Sequence, residues 1–295
     1  MKTKRSVCCF GEVLWDMFPS GKQIGGAPLN VALRLSSFGV NTTIVSAVGK
    51  DALGNEALEF IDERGLTTLF IQQNELSTGN VPVVLDKNGS ASYTIAKPVA
   101  WDQIAYDKYA DHKIREVDAL IYGSLACREQ VTRTTLGRYL TKAHFKVFDI
   151  NLRAPHYEKE VLFDLMNEAD LIKFNDEELP LVCSMQTNTS NILEDQIRFI
   201  ADATNTPTIC VTLGNKGAIL YMNNNFYRHE GYKVKVVDTV GAGDSFLAGL
   251  IYKLLGKCSP EEALDFACAI GALVASKSGA NTVFSLDELE QMKKR

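Results

Sequence analysis

The segment Asp238-Thr239-Val240-Gly241-Ala242-Gly243-Asp244-Ser245-Phe246 carries more chemistry than any other part of the chain. A mostly apolar run from Leu247 to Leu255 follows it and predicts a helix whose first turn holds Asp244. Backbone N–H groups at a helix N-terminus have no partners within the helix, and the peptide dipoles add partial positive charge there. Glycines at 241 and 243 let an anion approach that backbone closely. A carboxylate in such a place repels phosphate, so it needs a reason. One reason is general-base chemistry: Asp244 takes a proton from a hydroxyl while the N–H groups of Gly241, Ala242 and Gly243 hold the phosphoryl group in transfer. The other is a glycine turn whose Asp complements the dipole. Phe246 interrupts any G-x-G-x-x-G spacing and no G-x-x-x-x-G-K-S/T occurs, so a dinucleotide fingerprint and a Walker loop are both excluded.

A scaffold must bring the partners of this turn to it. Apolar runs of strand length occur at Val7–Phe10, Thr43–Val48, Ala119–Tyr122, Lys146–Ile150, Leu171–Phe174 and Thr208–Leu213. Helical patterns separate them: Pro28–Phe38, Asp51–Arg64, Gln130–Ala143, Ser190–Thr204 and Pro260–Lys277. Continuous strands alternating with helices predict an α/β fold, a mostly parallel sheet flanked by helices on both faces. Two stretches break the rhythm. Gly79–Leu85 and Ser90–Ala96 flank Asp86-Lys87-Asn88-Gly89, a hairpin signal, and Leu14–Phe18 with Gln23–Gly25 reads as a second short pair. Together they predict a small β-sheet lid from residues 13–25 and 79–97 on a single domain covering 1–295.

Bulk properties narrow the class. The 295 residues are 46% hydrophobic and 23% charged, enough for a large core without staples. A formal net charge of −5 gives no reason to expect nucleic acid or an acidic membrane surface. Seven cysteines, an odd number without a C-x-x-C, read as buried reduced thiols. The basic start Lys2-Thr3-Lys4-Arg5 is followed by an apolar run too short for a signal peptide, and nothing approaches the ~20 apolar residues of a membrane span. The expected location is cytoplasmic.

Further polar residues sit where strands end, the place at which parallel sheets collect ligands. Asp16 lies among Leu14, Trp15, Met17 and Phe18; it is a turn former or an acceptor for two hydroxyls. Gly25 and Gly26 precede Asn30, an early helix residue whose amide can both donate to and accept from a hydroxyl. Asp149, Asn151 and Arg153 alternate and share one face if the chain stays extended, with the Arg153 fork suited to oxyanions. Asn175 and Glu178 open a helix or help hold hydrated Mg²⁺, which keeps most of its waters. Thr212, Gly214 and Gly217 form a hairpin turn or a phosphate-facing loop.

The 238–246 segment resembles the C-terminal signature of the ribokinase-type (PfkB) carbohydrate kinases. Gly25-Gly26-Ala27-Pro28-Leu29-Asn30-Val31-Ala32 resembles that family's N-terminal sugar-site motif, and the two stand in the family's order. The resemblance implies a ribokinase-like fold and an ATP-dependent sugar kinase in which Asp16, Gly25, Gly26, Asn30, Asn151 and Asp244 hold the sugar. It implies a nucleotide site of Asn175, Thr212, Gly214, Gly217, Gly243 and Asn281, and Glu178 acting on Mg²⁺ through water. Asp238 and the Val240 carbonyl match positions that hold a monovalent cation, K⁺, in some relatives, and a homodimer through the lid is implied as well. Gly11-Glu12-Val13-Leu14-Trp15-Asp16, Gly123-Ser124-Leu125-Ala126 and Asp149-Ile150-Asn151-Leu152-Arg153 look most like bacterial fructokinases. Fructose is the expected acceptor; ribose, 2-keto-3-deoxygluconate and a nucleoside remain open. A sugar-sensing protein on a retired kinase fold would have lost Asp244 or the glycines, and all of them stand. A Rossmann dehydrogenase would need a glycine cluster after Val7–Phe10, where the chain instead reads Gly11-Glu12-Val13-Leu14.

Overall fold

Strand β1 (Ser6–Phe10) is buried on both sides: Cys8 and Phe10 enter one helical layer, Val7 and Cys9 the other. A computed structural model describes residues 5–19, 21–85, 91–186 and 190–294. The strands after β1 are β2 (Leu14–Phe18), β3 (Gly21–Gly25), β4 (Asn41–Gly49), β5 (Ile71–Asn74), β6 (Gly79–Leu85), β7 (Ala91–Tyr93) and β8 (Ala119–Gly123). They continue with β9 (Lys146–Asp149), β10 (Leu171–Asn175), β11 (Thr208–Thr212), β12 (Ala218–Met222) and β13 (Asn225–His229). Nine of them form one sheet in the order β13-β12-β11-β10-β9-β8-β1-β4-β5. From β5 to β11 every pairing is parallel, whereas β12 and β13 are added antiparallel at one edge.

Helices cover both faces, as a parallel sheet with apolar strands requires. On the Val7 side lie α1 (Ala27–Ser37), α2 (Ala52–Glu63), and then, from the C-terminal part, α8 (Ala242–Leu255) and α9 (Pro260–Ala275). The Phe10 side is covered by α3 (Lys108–Glu116), α4 (Gln130–Leu140), α5 (Lys159–Asn167), α6 (Glu178–Met185) and α7 (Leu193–Thr204). A last helix, α10 (Leu286–Lys293), packs its Leu289 and Met292 with Phe266 and Ile270 of α9. The chain runs from β1 outward to β4 and β5 on one side and to β8 through β11 on the other. The order therefore reverses at β1, and the crevice beyond its carboxyl end is where such sheets bind ligands.

A second sheet, β3-β2-β6-β7, stands apart from the first. Its β2–β3 and β6–β7 pairs are antiparallel, and β2 joins β6 in parallel. The small lid sheet is thus the two expected pairs placed side by side. Strand β7 is shorter than the expected Ser90–Ala96, and the turn Asp86–Gly89 lies outside the described residues. One local expectation fails. The chain does not stay extended after β9: Asn151 adopts a left-handed φ of 38°, so Asp149, Asn151 and Arg153 do not alternate along a strand. Asparagine tolerates that region better than most residues, and the bend sends Arg153 out to the surface while Asp149 stays buried. Among the described residues all seven cysteines are free thiols, six of them buried.

Candidate active site

Helix α8 begins on Gly241, whose φ of 74° turns the chain left-handed into the first turn. A Cβ there would lie 2.4 Å from that of Ala280, so only glycine fits. Ser259 and Ser285 cap α9 and α10, but no side chain caps α8, and its first turn faces the crevice. Asp244 stands in that turn, partly buried, and its Oδ2 accepts from Asn30 Nδ2 at 2.8 Å. Asn30 is buried in the first turns of α1, which starts on Gly26 at φ 108°. A Cβ on Gly26 would come within 2.3 Å of the Glu12 carbonyl oxygen, so the two chain segments touch there only because residue 26 has no side chain. The two glycine motifs, from opposite ends of the sequence, thus meet through one hydrogen bond.

Burial, then the nearby charge of Asp149, pushes the Asp244 carboxyl up to about 6. The Asn30 bond, Lys173 and Arg153 act in the opposite direction. Lys173 lies in the middle of β10, buried, with its Nζ 2.8 Å from Asp149 Oδ1. Burial opposes its charge, but Asp149, Glu178 and Asp244 more than offset this, so its pKa is raised and the ammonium stays charged. A Cβ on Gly243 would sit 3.6 Å from that Nζ. Lys173 thus lies directly beneath the first turn of α8, within van der Waals reach of position 243. An anion held by the backbone N–H groups of that turn would also feel the charge of the ammonium behind it.

Glu12, just after β1, is buried with its Oε2 unpartnered. Burial lifts its carboxyl to about 7 against the pull of its own and the Ala27 N–H groups and of the Arg153 charge, with Asp244 adding to the rise. A carboxyl that is harder to ionise in the folded chain stabilises the fold at low pH, and this stability is lost as pH rises from the unfolded value near 4.5 through about 7. Glu12→Gln, locked in the neutral form, should therefore raise Tm at pH 8 and leave it nearly unchanged at pH 4, as read by thermal melts at both.

The remaining expected residues fall at the same end of the sheet. Asp16, on β2 of the small sheet, lies against Gly25, where a Cβ would be 2.8 Å from its Oδ2. Burial raises its pKa and the Arg153 charge opposes the rise, so Asp16 and Arg153 act on each other across the crevice. Arg153 is exposed and donates to the Leu152 carbonyl at 3.0 Å. Asn175 Oδ1 caps α6 by accepting from the N–H groups of Glu177 and Glu178 at 2.9 and 2.8 Å. The Glu178 carboxylate accepts from Asn175 N at 2.9 Å and Leu152 N at 2.8 Å, tying the ends of β9 and β10 together. Thr212 ends β11 and donates to the Phe174 carbonyl at 3.3 Å. Gly214 and Gly217 form the turn after it, and Gly217 packs so closely on His229 that a side chain is excluded. Asp238 accepts from Val240 N and Gly279 N, both at 3.0 Å, which pins the 279–281 segment beside α8. Asn281 Nδ2 reaches Asn30 Oδ1 at 3.1 Å.

Two residues escaped the sequence reading. Lys173 was visible as a lone charge inside a buried apolar strand, a position that demands a partner. Glu12 was visible as an acid at the carboxyl end of β1. Neither signal names a function without the tertiary contacts.

Comparison with known proteins agrees with this geometry. The pfkB family of carbohydrate kinases matches residues 4–287. A fructokinase of Vibrio alginolyticus is 29% identical over 294 residues, covering 92% of this chain and 93% of that protein. Fructokinase from Vibrio cholerae O395, solved with fructose, ADP and calcium ion, superposes with a TM-score of 0.83 at 25% identity over 98% of both chains. The uncharacterised sugar kinase PH1459 of Pyrococcus horikoshii, solved with ATP, gives 0.82 at 26% identity over 97% of both chains. With Asp244 and its glycines at the head of α8, Asn30 against them and the Lys173 ammonium beneath the turn, the chain belongs to the pfkB family of carbohydrate kinases and is an ATP-dependent sugar kinase most like the bacterial fructokinases.

Proposed function

We propose that the acceptor is fructose and that Asp244 is the base that activates its hydroxyl. The observation that carries this reading is the Asn30–Asp244 pair at the uncapped N-terminus of α8, with the Lys173 ammonium beneath the turn. Asp16 and Asn30 hold the sugar hydroxyls, with Gly25, Gly26 and Asn151 presenting backbone and amide groups around it. Asp244 takes the proton of the attacking hydroxyl as its oxygen bonds to the γ-phosphorus of ATP and ADP leaves. The N–H groups of Gly241, Ala242 and Gly243, with Lys173 and Arg153, stabilise charge on the transferring oxygens. Thr212, Gly214, Gly217 and the Gly279–Asn281 segment border the nucleotide, next to Asn175.

Mg²⁺ fits the residues present. Both Glu178 oxygens already accept one backbone N–H, which leaves lone pairs for metal-bound water, and Asp149 Oδ2 is buried with no partner. Bound there, the ion would neutralise phosphate charge. Asp238 and the Val240 carbonyl are the proposed holders of K⁺. The small sheet closes over the sugar and excludes competing water, and its edge strands β3 and β7 offer a pairing surface for a homodimer.

The test is ADP release from Mg·ATP across fructose, ribose, glucose, 2-keto-3-deoxygluconate, adenosine and fructose 6-phosphate, with K⁺ present. Fructose should be turned over fastest; another preferred sugar would overturn the substrate and keep the base. Because Asp244 must be ionised to act, kcat/KM should fall about tenfold per pH unit below about 6 and level off above it. A flat profile between pH 5 and 7 would exclude Asp244 as the titrating base.

A further inference from the structure

We propose that Asn281 is a positioning residue: by donating to Asn30 Oδ1 it fixes the direction of the Asn30 amide and so keeps Asp244 ready to accept a proton. This rests on the reading of Asp244 as base. An ionised carboxylate has only acceptors, so the Asn30 atom facing Asp244 is Nδ2, at 2.8 Å. Its Oδ1 then points the other way and meets Asn281 Nδ2 at 3.1 Å. A neutral Asp244 keeps a carbonyl oxygen that accepts from Nδ2 in a weaker, uncharged bond. The arrangement that would favour the neutral form is a flipped Asn30 whose Oδ1 accepts the acid proton. That arrangement would set the Asn30 amino group against the Asn281 amino group, donor against donor. Asn281 thereby disfavours the protonated base.

The segment that carries Asn281 is anchored on both sides. Gly279 N donates to Asp238 Oδ2 at 3.0 Å, and Ala280 packs against Gly241. On the far side Arg34, buried in α1, donates to the Thr282 carbonyl at 2.9 Å, donates to Ser245 Oγ at 3.1 Å and stacks over Phe284. The C-terminal segment is thus clamped between α1 and α8, the two helices that carry Asn30 and Asp244. Asn30 keeps the second hydrogen of its amino group for the substrate, so the sugar atom it meets must be an acceptor oxygen. The other charged groups facing Asp244 are Asp149 from β9, Lys173 from β10, Arg153 from the loop after β9, and Glu12 from the end of β1. Asn281 touches none of these in the described contacts and acts through Asn30.

The experiment follows the Asp244 carboxyl carbon by NMR in protein labelled at aspartate, without ligand, the signal being assigned by its loss in Asp244→Asn. In Asn281→Leu the Asp244 midpoint should rise by up to about one pH unit, because a freed Asn30 can turn its Oδ1 to the protonated carboxyl and the charge-assisted bond to the ionised form is no longer enforced. Asn281→Ala, which adds no bulk, serves if Leu disturbs folding, and Asn281→Gln should bring the midpoint back. In turnover at saturating ATP, a one-unit rise from about 6 makes the loss of kcat about fivefold greater at pH 6 than at pH 8, on top of any uniform loss from the nucleotide side of residue 281. An unmoved midpoint, or an equal loss at both pH values, would overturn the proposal. The NMR reading needs no substrate, so a wrong sugar or an inactive enzyme would count against the fructose reading and not against this one.

Discussion

Asp244→Asn should lower kcat on the preferred sugar by about 10²–10⁴, the contribution of a positioned general base. The substitution keeps the size of the side chain. The new amide can present its oxygen to Asn30 Nδ2, so the hydrogen bond now at 2.8 Å survives and sugar affinity, measured calorimetrically, should change little. Catalysis would be lost while binding stays, as expected of a group that acts in the transition state. Stability should move the other way. The Asp244 carboxyl titrates near 6, above its ordinary value, so the folded state loses stability as pH rises through about 6. The neutral Asn escapes this, and Tm of the variant at pH 8 should equal or exceed that of the wild type. A variant that keeps more than about a tenth of kcat would remove Asp244 from the role of base, and one that melts well below the wild type at pH 8 would overturn the raised pKa of its carboxyl.

Lys173→Met should be the most destabilising change at the site. It leaves Asp149 buried without its 2.8 Å partner and with both carboxylate oxygens unpaired. Breaking one side of a buried ion pair costs about 3–5 kcal/mol. Replacing both sides with apolar groups is often neutral, because two buried charges disappear together. Lys173→Met with Asp149→Leu should therefore recover most of the lost stability in urea melts. Activity should not return, since the ammonium below Gly243 is absent in both proteins. If the double variant regains turnover along with stability, Lys173 serves the fold alone. A single variant as stable as the wild type would show that the pair carries little of the local energy.

Much of the fold could be read from local pattern. Buried strands such as Leu171–Phe174 lack alternation because both faces are covered, and the helices between them carry their own start and stop signals, Pro260 after Ser259 among them. The small sheet was legible as two pairs, because alternation and turn residues are local properties. Its parallel β2–β6 join was not, since that pairing links strands separated by two helices and three strands in the chain. Asn151 shows a smaller limit: a left-handed residue ends the strand where periodicity alone predicts it to continue.

At the site, the sequence by itself determined the reactive turn. Gly241, Gly243 and Asp244 are adjacent in the chain, and helix N-terminal electrostatics follow from that adjacency. Only the tertiary structure decided who faces that turn. Asn30 reaches Asp244 from the other end of the chain, Asn281 meets Asn30 from the C-terminal segment, and Lys173 arrives from the middle of a strand. Hydrogen bonds and ion pairs act over a few ångströms of space, and no spacing along the chain records that distance. Packing α1 and α8 side by side on the sheet is what turns three separate polar residues into one connected site.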